Sequence, residues 1–302
     1  MHTVLLYYKY VDIEDPDKIR DIQRELCERL NLKGRIIIAR EGINGTVEGL
    51  TADTEKYIET MDATPLFADI NFKRSEGSGK AFPKLRVRTR AEIVTAGLPE
   101  LNPNNVTGKY LSAKDLFEWF EKRREFYIVD MRNDYEYASG YFQDFIPSGF
   151  RNFWELETIL PKLEHLKNKT IVTVCTGGVR CEKASGFLVE NGFADVYQLK
   201  DGIQTFMEMY PNKYFKGKLY VFDNRLTVGY NTDSAEHEVV GKCLHCGVSS
   251  DRYVNCQYNE CHFHFICCDN CLDSETGFAF DKPECKPQWR LVESRKIAKA
   301  SA

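Results

Sequence analysis

The sequence lacks a long hydrophobic run, an excess of one charge and any low-complexity tract. Its first apolar stretch, Val4 to Tyr8, ends at Lys9, and no window approaches the roughly 18 apolar residues that a membrane-spanning helix needs. Because no secretory signal is expected either, a cytoplasmic location without a membrane partner is predicted. The 41 basic and 45 acidic residues give a net charge of −4, which excludes a uniformly basic nucleic-acid coat but permits a local basic patch.

The first 98 residues carry the pattern of an α+β domain. Strands and helices are expected in the order β, α, β, β, α, β, over 4–10, 15–30, 35–39, 46–47, 51–62 and 67–72, with a turn over 42–45 and a further extended run over 85–93. This order is typical of a ferredoxin-like sandwich of the acylphosphatase-like type, in which two helices cover one face of an antiparallel sheet. Residues 1–98 are therefore predicted to form the N-terminal domain and to contact RNA.

Residues 99–213 are predicted to form a second domain of the parallel α/β class. A turn-rich linker over 102–105 precedes a helix capped by Ser112, and apolar strands over 126–130, 171–174 and 196–199 alternate with a helix over 182–191. Strands that alternate with helices favour a mainly parallel sheet.

The segment TIVTVCTGGVRCEKAS, residues 170–185, is the most informative stretch. An apolar strand delivers Cys175 into a short loop that opens a helix, where backbone N–H groups and the helix dipole favour the thiolate. Thr176, Gly177, Gly178 and Val179 complete the loop, and the glycines permit a positive φ. We expect the sulfur at the mouth of this bend, facing a groove where a flexible polyanion can lie. A buried, inert cysteine is the alternative.

Several charged or reactive side chains near this loop have two interpretations each. Arg180 is expected to lower the thiol pKa, or to brace the loop by an ion pair with Asp130 or Glu136. Cys181 either resolves an oxidised Cys175 or simply packs. Asp130 and Arg132 are expected to hold the loop, and Lys183 to face substrate or solvent.

The loop and its neighbours resemble the rhodanese family. YIVDMRNDYEYASGY, residues 127–141, and GFADVYQLKDGI, residues 192–203, resemble that family's two other signatures. Together with GKLYVFDNR, residues 217–225, the ferredoxin-like N-terminus and the cysteine-rich tail, the chain resembles the bacterial rhodanese-domain tRNA uridine-34 hydroxylases. It departs from the rhodanese pattern at Gly140-Tyr141 and at Lys200-Asp201-Gly202.

The resemblance implies an oxidoreductase that uses molecular oxygen to convert uridine 34 of the tRNA anticodon to 5-hydroxyuridine. tRNA is then the expected partner, and Cys175 is the thiolate expected to add at C6 of the uracil. No flavin or nucleotide motif is present in the sequence. The alternatives are a sulfurtransferase that carries a persulfide on Cys175 and a non-catalytic adaptor. The sequence does not indicate an oligomeric state.

A basic ladder within KLRVRTR is the expected RNA contact. Lys84, Arg86, Arg88 and Arg90 alternate with other residues, so on a strand all four cations share one face at about 6.6 Å per step, close to the phosphate spacing of nucleic acid. A solvated sheet face is the alternative.

Residues 214–302 are predicted to form an extension and a cysteine-rich tail. Cys243 and Cys246 are separated by 21 residues from Cys268 and Cys271, a spacing typical of a structural zinc site. Free or disulfide-linked thiols are the alternative. The remaining candidates for a second ion allow too many combinations for a choice; they are Cys256, Cys261, Cys267, Cys285, His245, His262 and His264.

Overall fold

The N-terminal part of the chain is a five-stranded sheet covered on one face by two helices. The computed structural model describes residues 1–300, so the last two residues of the predicted tail lie outside it. The elements are β1 (His2–Tyr10), α1 (Pro16–Arg29), β2 (Lys33–Ala39), β3 (Gly42–Leu50), α2 (Thr51–Asp62), β4 (Lys73–Gly77) and β5 (Leu85–Thr89). The strand order β4-β1-β3-β2-β5 confirms the ferredoxin-like sandwich and adds β5 parallel to β2 at one edge.

Strand alternation gives this sheet two different faces. One face carries Leu5, Tyr7, Ile36 and Ile38, which are buried against the two helices. Because side chains alternate along a strand, the residues between them point to the opposite face. That second face is directed at the middle of the chain and forms part of the cavity described below.

Two local predictions in this domain are wrong. No turn covers 42–45: β3 runs unbroken from Gly42, and Gly45 is needed because the Tyr7 ring lies across it, where a Cβ would collide. No strand covers 67–72: Phe67, Ile70 and Phe72 are buried in the helix-side core from an irregular turn, and the strand follows at Lys73. The apolar residues three positions apart indicate that this segment is buried, but they do not indicate an extended backbone.

The middle of the chain is a parallel sheet with helices, which confirms the predicted α/β class. Its elements are β6 (Lys109–Leu111), α3 (Ala113–Glu121), β7 (Tyr127–Asp130), α4 (Asp134–Tyr137), β8 (Gly140–Phe142), β9 (Ile146–Pro147), α5 (Leu160–Leu163), β10 (Thr170–Val174), α6 (Val179–Glu190), β11 (Asp195–Leu199) and α7 (Gly202–Met209). The strand order is β6-β11-β10-β7-β9, and every pair is parallel. As predicted, the Ser112 hydroxyl caps α3 by accepting from the Asp115 N–H.

The C-terminal part has short elements and little regular structure. Its elements are β12 (Phe215–Gly217), β13 (Leu219–Tyr220), β14 (Thr227–Val228), β15 (Tyr253–Asn255), β16 (His264–Ile266) and α8 (Cys285–Ala300). Strand β12 pairs with β8 of the middle sheet region, which ties this part to the rest of the chain. Across residues 1–300, none of the helices combines the length and apolar character required to span a bilayer.

Lys183 faces neither substrate nor solvent, so both predictions for it are wrong. Its ammonium group is fully buried, 2.8 Å from Glu41 Oε2 and 2.7 Å from Glu92 Oε1. Glu41 also accepts from the Ile93 N–H, and Glu92 from the N–H groups of Ala96 and Gly97. A buried ammonium with two carboxylates joins α6 to the β2–β3 connection and to the segment that follows β5.

We predict that Lys183→Ala lowers the free energy of unfolding by about 3–5 kcal/mol, because it leaves two buried carboxylates without their cation. Lys169→Ala is the matched control: Lys169 pairs with Glu125 at the surface, and its loss is expected to cost about 0–1 kcal/mol. Urea unfolding followed by circular dichroism measures both. Equal costs for the two variants would contradict the buried ion pair.

Candidate active site

Cys175 lies where β10 ends and just before α6 begins. Val174 is the last residue of the strand, and Gly178, with φ of 101°, is the N-cap of the helix. This turn directs the Gly178 N–H to the Cys175 sulfur at 3.2 Å. A residue with a Cβ would be strained at this φ, so the glycine predicted for the loop is required here.

The environment of Cys175 favours a thiolate. Burial acts to raise its pKa, but a hydrogen bond from the Cys181 thiol, the positive charge of Arg180 and the N–H groups of Cys181 and Arg180 lower the pKa to about 6. The pKa of Cys181 is raised, first by burial and then by the neighbouring Cys175. The negative charge of the pair is therefore favoured on Cys175 over Cys181.

Arg180 satisfies both interpretations made for it. It forms a two-pronged pair with Glu136 of α4, with Nη2 to Oε2 at 2.8 Å, and it adds positive charge beside the sulfur. Asp130 is not its partner. Asp130 accepts from Arg132 at 2.6 Å, both side chains are fully buried, and Arg132 also donates to the Gly140 carbonyl. The Asp130–Arg132 pair thus connects the end of β7 to β8.

The sulfur lies on the wall of a partly enclosed cavity. Cys175 is 0% exposed and lines a cavity of about 370 Å³ together with Thr176, Gly177, Val179 and Arg180 of its own loop. Other walls come from the N-terminal sheet and from residues 221–225. A nucleophile in a partly enclosed cavity is shielded from bulk water, which strengthens the electrostatic interactions around it.

The first strand of the chain packs directly on the cysteine loop. A Cβ added at Gly178 would lie 2.7 Å from the Tyr8 hydroxyl, and one added at Gly177 would lie 2.9 Å from Leu6. The Tyr8 hydroxyl donates to Glu182, and the Tyr10 hydroxyl donates to the Val179 carbonyl. The adjacent glycines in the sequence indicate that another segment packs closely against this loop. They do not indicate that the segment is β1.

The third wall comes from the segment after β13, within GKLYVFDNR, for which the sequence indicates no role. Val221, Phe222, Asp223 and Arg225 line the cavity. Arg225 pairs with the buried Asp223 at 2.6 Å and also donates to the Ser75 hydroxyl at 2.8 Å, so this segment reaches the N-terminal sheet. Phe222 is 46% exposed and Trp154 of the middle domain is 58% exposed, so both offer aromatic surface where the cavity opens.

Arg86 and Arg88 of the basic ladder lie on the same face of the N-terminal sheet as the cavity wall. Two rows of paired residues cross the sheet, Leu6–Thr46–Arg35–Arg86 and Tyr8–Asn44–Ile37–Arg88. The first three members of each row line the cavity. Paired residues on neighbouring strands point to the same face, so Arg86 and Arg88 lie beside the cavity wall. They are exposed, as are Lys84 and Arg90, which flank β5.

The tail cysteines form two compact groups rather than one. Cys243, Cys246, Cys268 and Cys271, the predicted zinc ligands, have sulfur atoms within 4.8 Å of one another. Cys256, Cys261 and Cys285 converge with Asp281 in the same way. Neither group uses His245, His262, His264 or Cys267. The sequence does not predict Asp281, because a single carboxylate has no spacing signal.

Three family models match the chain in succession: a UPF0176 acylphosphatase like domain over residues 2–93, a rhodanese-like domain over 112–209 and a rhodanase C-terminal domain over 216–286. The chain is similar to the tRNA uridine(34) hydroxylases of Bacillus licheniformis and Bacillus mycoides, at 44% identity over 88% of its length and 83% and 84% of theirs. A rhodanese-like domain protein from Staphylococcus aureus aligns with 32% of this chain and 90% of its own, at 28% identity and a TM-score of 0.28.

We predict that alkylation of Cys175 in the full chain follows a titration with a midpoint near pH 6. The thiolate is the reactive form, so the rate falls as pH decreases through 6 and is level above pH 7, whereas an ordinary thiol keeps gaining rate to about pH 8.5. Peptide mass spectrometry after iodoacetamide treatment separates this cysteine from the others.

Two substitutions of Cys181 test the cause of the low pKa. Cys181→Ala removes the hydrogen bond and is expected to raise the midpoint by about 1–2 pH units, since such a bond to a charged group contributes about 1.5–3 kcal/mol. Cys181→Ser keeps a donor and is expected to shift the midpoint less. An unshifted midpoint in Cys181→Ala would refute this cause.

Proposed function

The chain belongs to the tRNA uridine(34) hydroxylase family, and we propose that it hydroxylates uridine 34 of tRNA at C5 to give 5-hydroxyuridine, with Cys175 as the nucleophile. The observation that carries the role of Cys175 is that its sulfur, with a pKa lowered to about 6, lines a cavity of nucleotide size. A volume of about 370 Å³ lies at the lower end of the range for small-ligand sites, so the cavity suits one unstacked nucleotide and not a duplex.

The walls of the cavity fit an extruded base. Bases that leave a stack are commonly held between aromatic side chains and are recognised through hydrogen bonds to their edges. Tyr8, Phe82 and Phe222 supply aromatic surface, and the side-chain amides of Asn44 and Gln204 supply donors and acceptors. The anticodon loop is single-stranded, so uridine 34 reaches such a site at a lower cost than a base in a helix.

The thiolate makes C5 of the uracil reactive. Conjugate addition of Cys175 to C6 breaks the C5–C6 double bond and places the electron pair on C5 and O4 as an enolate. The enolate reacts at C5 with molecular oxygen. One oxygen atom remains on C5 as a hydroxyl group and the other leaves as water, with two electrons from an external reductant and the protons from solvent. Loss of the remaining C5 proton to solvent, with elimination of the thiolate from C6, then restores the double bond and the charge on Cys175, which Arg180 and the N–H groups of the loop stabilise.

The first group of tail cysteines fits a structural zinc ion. Four sulfur atoms within 4.8 Å of one another, from two Cys-x2-Cys pairs, are the donors and the number that tetrahedral zinc prefers. Bound by Cys243, Cys246, Cys268 and Cys271, the ion stabilises a segment whose apolar core is small.

Production of the chain in a bacterial host that lacks its own uridine-34 hydroxylase tests the proposed activity. Mass spectrometry of tRNA nucleosides is expected to show 5-hydroxyuridine with the unaltered chain and a decrease of about a thousandfold or more with Cys175→Ser, because a serine hydroxyl is not ionised at neutral pH. Cys27→Ala, a buried cysteine of the N-terminal core, is the matched control and is expected to retain activity.

The other outcomes of that experiment separate the alternatives. A Cys175-dependent thiolated nucleoside would replace the hydroxylase with the sulfurtransferase that carries a persulfide. Unchanged nucleosides would favour the adaptor. Full 5-hydroxyuridine formation by Cys175→Ser would refute the covalent step.

Neutralising the ladder is expected to weaken tRNA binding in a salt-dependent way. We predict that Arg86→Gln with Arg88→Gln lowers the slope of log affinity against log salt by about 1.5, as expected for two lost phosphate contacts. Lys18→Gln with Arg29→Gln is the matched control, because these exposed cations lie on α1, behind the opposite face of the sheet. Equal slopes for the two double variants, measured by filter binding, would contradict an RNA contact at the ladder.

A further inference from the structure

A second four-ligand group lies in the tail, separate from the four cysteines discussed above. It joins Cys256, Cys261 and Cys285 to Asp281, and all of their ligand atoms lie within 4.8 Å of one another. The Asp281 Oδ1 atom is 3.2 Å from the Cys261 sulfur and 3.0 Å from the Cys285 sulfur. Three sulfur atoms around one carboxylate oxygen form a set of soft and anionic donors suited to zinc.

Packing alone accounts poorly for this convergence. The buried members of the tail core are four cysteines, Phe265 and Ala279, so thiols occupy places that aliphatic side chains fill in an ordinary core. Disulfides also fit poorly, because three sulfur atoms in one group leave one unpaired whichever bond forms. A small segment with so little apolar surface requires another source of stability, and metal ions commonly provide it.

The ligands of the two groups alternate in pairs along the chain. The first pair of one group, Cys243 and Cys246, is followed by Cys256 and Cys261 of the other; Cys268 and Cys271 return to the first group, and Asp281 and Cys285 to the second. The two groups are therefore interleaved. When either group binds its ion, it closes a loop of the chain that contains two ligands of the other group. Binding at one group therefore restricts the conformations of the segment that forms the other group.

We propose that residues 243–285 form a two-zinc module in which Cys256, Cys261, Asp281 and Cys285 hold a second ion, interlocked with the first. Cys285 is also the first residue of α8, so the second ion anchors that helix to the tail. Both ions are structural, because four protein ligands complete a tetrahedral shell. The module does not depend on the chemistry at Cys175.

Metal analysis of the purified full chain tests the proposal without any substitution. Two zinc ions per chain are expected by inductively coupled plasma mass spectrometry, together with an intact mass that shows no disulfide. One ion per chain, iron in place of zinc, or a disulfide among Cys256, Cys261 and Cys285 would each overturn it.

Substitutions then assign the ligands. Cys261→Ala and Asp281→Ala are each expected to reduce the content from two ions to one and to speed chelator removal of the remaining ion, because the groups are interlocked. Asp281→Cys supplies a stronger ligand and is expected to retain both ions; in the cobalt-substituted protein its thiolate charge-transfer absorption increases. Cys267→Ala is the matched control, since Cys267 lies in the same core but in neither group, and it is expected to retain two ions. Loss of an ion from this control, or two ions in Asp281→Ala, would contradict the ligand assignment.

Discussion

A negatively charged sulfur beneath the protein surface is the constraint on which the site depends. Burial opposes the charge on Cys175, and Arg180, the Cys181 thiol and the backbone N–H groups at the start of α6 compensate for it. Arg180 is in turn held by Glu136, and α4, which carries Glu136, is contacted by the tail, because the Tyr253 hydroxyl donates to the Tyr135 carbonyl. The ionisation of one thiol therefore draws on residues from distant parts of the chain.

The same requirement explains why the cavity is built from three parts. A rhodanese-like loop positions a thiolate, but it does not by itself form a closed site for a base. Strand β1 covers the loop at Gly177 and Gly178, and the segment over 221–225 reaches from the C-terminal part of the chain to Ser75. The buried Lys183 fixes the two domains relative to each other through Glu41 and Glu92. Because Arg86 and Arg88 share the cavity's sheet face, RNA bound at the ladder, as proposed above, would lie beside the cavity that contains the sulfur.

Local patterns predicted what depends on neighbours along the chain and missed what depends on distant contacts. The loop around Cys175, the Ser112 cap and the order of strands and helices followed from spacing, turn residues and resemblance. The cover over Cys175, the buried Lys183 and the proposed ligand Asp281 did not, because each is decided by partners far away in sequence. The prediction of a strand over 67–72 failed for a related reason: apolar spacing indicates burial, whereas the backbone conformation there is set by packing under the helices.

Hydrogen exchange at C5 of uridine 34 in the absence of oxygen tests the central claim most directly. If the Cys175 thiolate adds to C6, the enolate takes a proton from solvent, and elimination returns a uracil that has exchanged its C5 hydrogen. In deuterated water, an anticodon stem-loop incubated with the full chain is predicted to gain one deuterium at uridine 34, and the Cys175→Ser variant is predicted to give none. Absence of exchange by a chain that hydroxylates the same stem-loop in air would contradict covalent activation by Cys175.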